Sequence, residues 1–388
     1  MPNFTTHPVF VLAILIAIIA ISEWLAERPL FKRLGTALLV IILGAVAANI
    51  GLIPTASNAI PLYDSIFTYV APLSIFYVLL QVNLKSLRQA GMPMLIIFLV
   101  GSFATAIGVI VANYLVLDEQ LLGELRGPLA GMFTGTYTGG SVNFNAVALH
   151  YEVQKEGNIY AAAVAVDNIF TTVYMLLCLA IPLWLQNWKP RSLTKSNVTS
   201  TAVETSPDAA ATMTLSGLSW LAAIGLFALF FSIQLAEWLD GFGWHVAPIL
   251  IITTLALLLA QIPKIANLGG SQLIGMLMIY LFLVVIGAFC ELSAVSTMGA
   301  VAINLFFFII ILVSIHALII FGIGGLLGYD WYLISIASQA NVGGSTTALA
   351  LAKTFGRNEL VIPGFLVGAL GNAVGTYLGF AVAAFLSS

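Results

Sequence analysis

Residues 135–148 read GTYTGGSVNFNAVA, and residues 335–350 read SIASQANVGGSTTALA. Each stretch gathers small and hydroxyl-bearing residues around a glycine pair, Gly139-Gly140 in the first and Gly343-Gly344 in the second. Sliding the chain against itself by 204 residues lays Gly139-Gly140-Ser141 on Gly343-Gly344-Ser345, Ala146 on Ala350, Ala148 on Ala352, Ala165 on Ala369, Asn168 on Asn372 and Thr172 on Thr376. That is 8 identities in the 42 positions 131–172, a modest count for a sequence this rich in alanine and glycine. The polar matches carry the weight, because each asparagine follows the second glycine of its pair by 28 residues. The pattern reads as an internal duplication.

Outside these stretches the chain is apolar. Of its 388 residues 61% are AVILMFWYC and 7% are charged, with a mean hydropathy of +1.07. A water-soluble domain needs far more charge to cover its surface, so lipid is the solvent for most of this chain and an all-α polytopic membrane protein is expected. Its net charge of −3, from 13 basic and 16 acidic residues, gives no footing for nucleic acid. Cys178 and Cys290 lie within apolar runs and indicate neither disulfide nor metal. Spanning runs are expected at 8–26, 35–53, 65–84, 92–117 and 159–186, then at 216–238, 246–262, 272–290, 299–328 and 361–386. The first run has no basic segment before it and reads as a retained helix, not a signal peptide. Residues 187–215, Ser/Thr-rich with Pro190 and Pro207, read as a flexible linker between a first repeat (1–186) and a second (216–388).

The glycine-pair segments 127–151 and 331–354 have apolar arms of about ten residues, each reaching only about 15 Å as helix, half the hydrocarbon core. Such a segment is either a broken crossing helix or a re-entrant hairpin. Positive charge arbitrates. With both segments re-entrant, Arg28, Lys32, Arg33, Lys85, Arg88, Lys189, Arg191, Lys195, Lys264, Lys353 and Arg357 share one side, leaving only Arg126 and Lys155 on the other, a split of 11 to 2. With both crossing, the split is 8 to 5. The first arrangement gives five crossings per repeat, an inverted second half, both termini outside and the linker in the cytoplasm, the layout of secondary transporters.

Helix breaks at membrane depth must line a cavity or be buried in protein. Paired breaks in two inverted halves point to a midplane binding site, with bare glycine backbone and fresh helix N-termini facing a ligand. The expected solute site is Thr136, Thr138, Gly139, Gly140, Ser141, Asn143 and Asn145 from the first segment, with Asn341, Gly343, Gly344, Ser345, Thr346 and Asn372 from the second half. Asp167 is the acidic residue deep inside a span, and a carboxylate there is costly enough to suggest function. With Asn168 it offers oxygen ligands for Na⁺, or it carries a proton; Thr172 and Thr376 join them as ion-coupling residues. His316 reads as a neutral imidazole bonded between helices. The last helix carries Gly364, Gly368, Gly371, Gly375 and Gly379, a face for close packing. There is no nucleotide-binding P-loop and no haem-attachment motif. A cofactor is therefore not expected, and a coupling ion, Na⁺ or H⁺, is the natural energy source.

GTYTGGSVNFNAVA with the following Asp167-Asn168 helix resembles a bacterial and plant membrane family catalogued as domain of unknown function 819, grouped with the cation/proton antiporter and anion transporter superfamily. The glycine-pair hairpins are similar to those of sodium–glutamate and 2-hydroxycarboxylate symporters. That resemblance implies an elevator mechanism, in which core helices and hairpins (92–186, 299–388) move against dimerising scaffold helices (8–84, 216–290). It also implies sodium-coupled symport and a homodimer in a bacterial inner membrane. This chain departs from those relatives in having no evident intramembrane arginine to clamp a carboxylate. The expected function is ion-coupled symport of a small polar metabolite such as an amino acid, organic acid or short peptide. Two rival readings are a cation/proton antiporter using Asp167, and an intramembrane hydrolase pairing Ser141 or Ser345 with His316.

Overall fold

The computed structural model describes residues 4–29, 31, 35–82, 84, 90–117, 119–189, 213–244, 246–290 and 295–387. Most of the linker (190–212) lies outside the described residues, as do Lys32, Arg33, Lys85, Arg88, Arg191 and Lys195 of the charge count. Among the described residues every regular element is helical. The first half contributes α1 (Pro8–Ala26), α2 (Gly35–Asn49), α3 (Pro61–Leu79), α4 (Met92–Leu115), α5 (Arg126–Gly139), α6 (Ser141–His150) and α7 (Gly157–Trp188). The second contributes α8 (Leu215–Asp240), α9 (Pro248–Leu259), α10 (Ser271–Ala288), α11 (Val295–Leu326), α12 (Trp331–Thr354) and α13 (Val361–Ser387).

A helix satisfies its own backbone, which is why lipid selects it. Among the described residues eight of these helices are long and apolar enough to cross a membrane, while α2 and α9 are apolar but shorter. Prolines in the first turn of α1, α3, α4 and α9 sit where a missing N–H costs nothing. Within α3 the chain widens into a π-helical turn at Ile66–Val70, just ahead of Pro72, whose absent N–H interrupts the ladder. The expected run 35–53 ends as helix at Asn49, because Gly51 takes φ 78° and turns the chain. Asn49 then donates to Cys290 O at 2.8 Å, tying that end of α2 to the end of α10.

The helices pack in two groups, α1–α3 with α8–α10, and α4–α7 with α11–α13. In the first group α2 and α10 approach backbone to backbone. A Cβ on Gly44 would lie 2.5 Å from Val284 O, and one on Gly287 would strike Ile41 O. In the second group α4 lies along α11, and a Cβ on Gly108 would lie 2.8 Å from Leu312 O. The outward faces carry exposed Phe103, Trp184, Phe227, Trp238 and Leu318. Apolar surface of that extent is a liability in water and the proper coat in a bilayer.

Candidate functional site

Both glycine-pair segments double back. In the first, Gly140 (φ 114°, ψ 175°) separates α5 from α6. Asn143 Nδ2 donates to Gly135 O at 3.3 Å, although a straight helix would hold residues eight apart about 12 Å from each other. A Cβ on Gly379 would meet Gly131 O at 2.7 Å and Val147 Cγ2 at 2.9 Å, so the two arms lie side by side against α13. In the second, Gly344 (φ 77°, ψ −171°) breaks α12 in the same way. There Asp330 and Arg357, at opposite ends of the segment, form an ion pair at 3.6 Å. The rings of Tyr332 and Phe355 meet at 4.9 Å, which closes the base of this hairpin. Only glycine adopts these dihedrals without strain, which explains why the second glycine of each pair stands where it does. Asp330 also caps α12, accepting from Tyr332 N at 2.9 Å and Leu333 N at 3.1 Å.

The two tips meet. A Cβ on Gly344 would lie 3.3 Å from Gly139 O and 4.0 Å from Gly140 Cα. Helix α13 seats both hairpins through its glycine face. Gly364 and Gly368 lie against Ile336 and Ser345 of hairpin 2, while Gly371, Gly375 and Gly379 lie against Gly139, Asn143 and Gly131 of hairpin 1. No side chain fits between the Gly139 and Gly371 backbones.

The expected site residues distribute unevenly around this junction. Asn143 is fully bonded, donating to Gly135 O and to Gly371 O (3.1 Å) and accepting from the Thr376 hydroxyl (2.8 Å). Thr376 therefore serves hairpin 1. Thr136 closes the tip through its carbonyl, which accepts from Gly140 N at 2.7 Å, and Thr138 bonds back to Thr134 O. Asn145, lower on the return arm, accepts from the Tyr160 hydroxyl. Asn341 donates to Ser102 Oγ (3.0 Å) and Thr138 O (3.5 Å), joining hairpin 2 to α4 and to the other tip. Ser141 and Thr346 are exposed, whereas Gly343, Ser345 and Asn372 are half-buried; a Cβ on Gly140 would lie 3.7 Å from Asn372 Oδ1. Asn168 is half-buried and turns its amide to Val164 O, while Thr172 is exposed and bonds Asn168 O, so Thr172 faces away from the junction.

Asp167 lies on the polar stripe Asp167, Thr171, Tyr174, Cys178 of α7, at i, i+4, i+7 and i+11. Ser335 donates to Cys178 O (2.5 Å), and Ser338 shares a hydrogen bond with Tyr174 (2.6 Å). Continuing this antiparallel register brings Asp167 level with the hairpin tips. The Tyr137 hydroxyl lies near the Asp167 carboxylate and Thr171 without reaching hydrogen-bond geometry to either.

His316 is fully buried and bonded between helices, as expected, but its partners were not foreseen. Thr105 donates its hydroxyl to Tyr137 O (2.9 Å), so its oxygen accepts from His316 Nδ1 (3.0 Å). His316 Nε2 then accepts from Ser338 Oγ (3.0 Å). The bonds assign the Nδ1–H tautomer and run from tip 1 through α4, α11 and hairpin 2 to α7.

Among the described residues ten enclosed side-chain nitrogen or oxygen atoms have no hydrogen bond. Five of them belong to this junction and its approach: the Tyr137 hydroxyl, Asp167 Oδ1, Gln339 Nε2 and Oε1, and Asn341 Oδ1. Buried polar groups are normally bonded, so this concentration sets the junction apart from the rest of the described molecule. Separately, a cleft of about 670 Å³ opens at the base of hairpin 1, lined by Asp64, Thr68, His150, Glu152, Lys155 and Ile249 from both helix groups. Among the described residues no group of three or more His, Cys, Asp or Glu side chains is assembled.

Crossing helices, with two broken hairpins buried among them, define a multi-pass integral membrane protein. The chain belongs to the family described as "Protein of unknown function (DUF819)", whose model matches residues 11–388. It is similar to a curated protein of Bacillus subtilis (strain 168) named "Uncharacterized membrane protein YjcL", with 31% identity over 388 residues covering 93% of this chain and 92% of the relative.

Proposed function

We propose that this protein is a secondary active symporter that couples Na⁺ or H⁺ to movement of a small polar metabolite. The observation that carries the reading is the meeting of two glycine-broken hairpin tips beside a carboxylate, with unbonded polar atoms gathered around them. Gly140 and Gly344 present backbone to a solute, and the starts of the return arms, exposed Ser141 and half-buried Ser345, offer helix N-termini to a negative group. Asp167 and the Tyr137 hydroxyl supply the oxygens a hard cation favours, and the same carboxylate serves a proton equally well. In this reading the halves are inverted repeats. The α4–α7 and α11–α13 group moves as the core against a scaffold of α1–α3 and α8–α10, two copies pair through that scaffold, and both termini face outward. Energy comes from the ion alone, with no bound cofactor. The hydrolase alternative has little support, because both ring nitrogens of His316 are engaged, by Thr105 and Ser338.

Uptake of labelled metabolites into proteoliposomes, with and without a sodium or proton gradient, tests the reading. Gradient-dependent accumulation is expected in wild type and is lost in Asp167→Asn, whose melting temperature stays near that of wild type. Sodium-driven proton movement that needs no solute would instead favour cation exchange at Asp167. Absence of any gradient-driven flux would remove the transport reading.

A further inference from the structure

Gln339 is fully buried on the incoming arm of hairpin 2, and neither its Nε2 nor its Oε1 has a hydrogen-bond partner. Its amide lies at the tip, where a Cβ on Gly343 would collide with Gln339 Nε2 and with Thr347 Oγ1. Thr347 donates to Gly344 O at 3.1 Å, so its oxygen can still accept. Gly343, Ser345 and Thr347 are half-buried and Thr346 exposed, so the amide sits just beneath an accessible part of the tip. The 204-residue register makes the arrangement informative. Gln339 corresponds to Gly135, and Thr347 to Asn143. Hairpin 1 thus carries its amide on the return arm with both kinds of bond made, whereas hairpin 2 carries one on the incoming arm with none made.

Both ends of the Gln339 amide must be met at once. A bare cation would satisfy Oε1 and strand the N–H groups, and a bare anion would do the reverse. A group with a donor beside an acceptor satisfies both, and the planar complement of an amide is another amide. Resting on the transporter reading above, we propose that Gln339 is the specificity-determining residue of the solute site and that the solute presents a carboxamide or peptide group to it. Leaving a buried amide unpaired when the wrong solute binds is a strong basis for discrimination. Gly343 is then the residue that leaves room for the Gln339 side chain, and Asp167 remains the ion site, on a different helix.

The test uses the full chain, purified in detergent and also reconstituted into proteoliposomes. The probes are matched pairs: glutamine with glutamate, asparagine with aspartate, and diglycine with glycine. At least one amide-bearing member should bind wild type more tightly than its mate. Gln339→Leu should weaken that binding roughly ten- to a hundredfold while melting no lower than wild type. Gln339→Glu keeps the side chain's size but exchanges the N–H donors for a carboxylate, and should abolish the preference within the pair. The proposal is overturned if no amide-bearing probe binds wild type, or if Gln339→Leu binds it unchanged. Gradient-driven uptake of the non-amide members alone would overturn it while leaving the transporter reading intact. Amide-selective binding, lost in Gln339→Leu but never followed by accumulation, would uphold the binding role and remove transport.

Discussion

The two hairpins share a glycine pair, a positive-φ reversal and a seat on α13, yet they are held in opposite ways. Hairpin 1 is fixed from the inside. Asn143 has its donors and its acceptor engaged, and Gly139 lies backbone to backbone on Gly371. Hairpin 2 is held at its base, by Asp330 with Arg357 and Tyr332 with Phe355, while Gln339 and Asn341 near its tip keep unbonded atoms. Two matched motifs can therefore keep one backbone turn and reassign their polar side chains, one bonding its amide internally and the other leaving its amide without a partner.

The contrast can be broken most forcefully at the glycines. Gly139→Ala drives a methyl group into the Gly371 backbone, which cannot yield, and should cost about 3 kcal/mol or more, seen as loss of the folded, monodisperse protein. Gly343→Ala meets side-chain atoms of Gln339 and Thr347 and no backbone among its nearest neighbours, and should cost about 1 kcal/mol. Equal losses would mean that the tips are equally rigid. The next effect separates the amides. Asn143→Ala removes the bonds to Gly135 O, Gly371 O and the Thr376 hydroxyl, and should lower stability by about 2–3 kcal/mol in detergent melting experiments. Gln339→Leu removes an amide that bonds nothing, so stability should hold or rise. A large loss there would show Gln339 to be structural. Smaller still is Asp330→Asn, which removes an ion pair whose arginine side chain is 21% exposed but keeps a capping oxygen. About 1 kcal/mol is expected, with faster amide exchange confined to the first turn of α12.

Much of this was legible from the chain. The glycine pairs predicted breaks in these two segments, and Asn143 on Gly135 and Asp330 on Arg357 show each segment folding back on itself. Spacing alone did not separate the roles of the matched polar residues. Thr172 and Thr376 align in sequence, yet one is exposed on α7 and the other is buried against Asn143. A helix repeats every 3.6 residues, so a single hydroxyl gives no sign of which face its helix will bury. Thr105 and Tyr174 were unmarked for the same reason, as lone polar residues in apolar helices whose meaning appears only when His316 and Ser338 arrive beside them. The glycine face of α13 was visible as a packing surface, but not that it would serve both hairpins.

That shared seat sets a schedule for making the protein. Asn143 and Gly371, which bond in the finished molecule, are 228 residues apart. At ordinary rates of synthesis, about 5–20 residues per second, hairpin 1 leaves the ribosome roughly 10–50 s before the helix it rests on. During that interval Asn143 lacks its partners Gly371 and Thr376. Hairpin 1 therefore reaches its final seat only after the last helix is made.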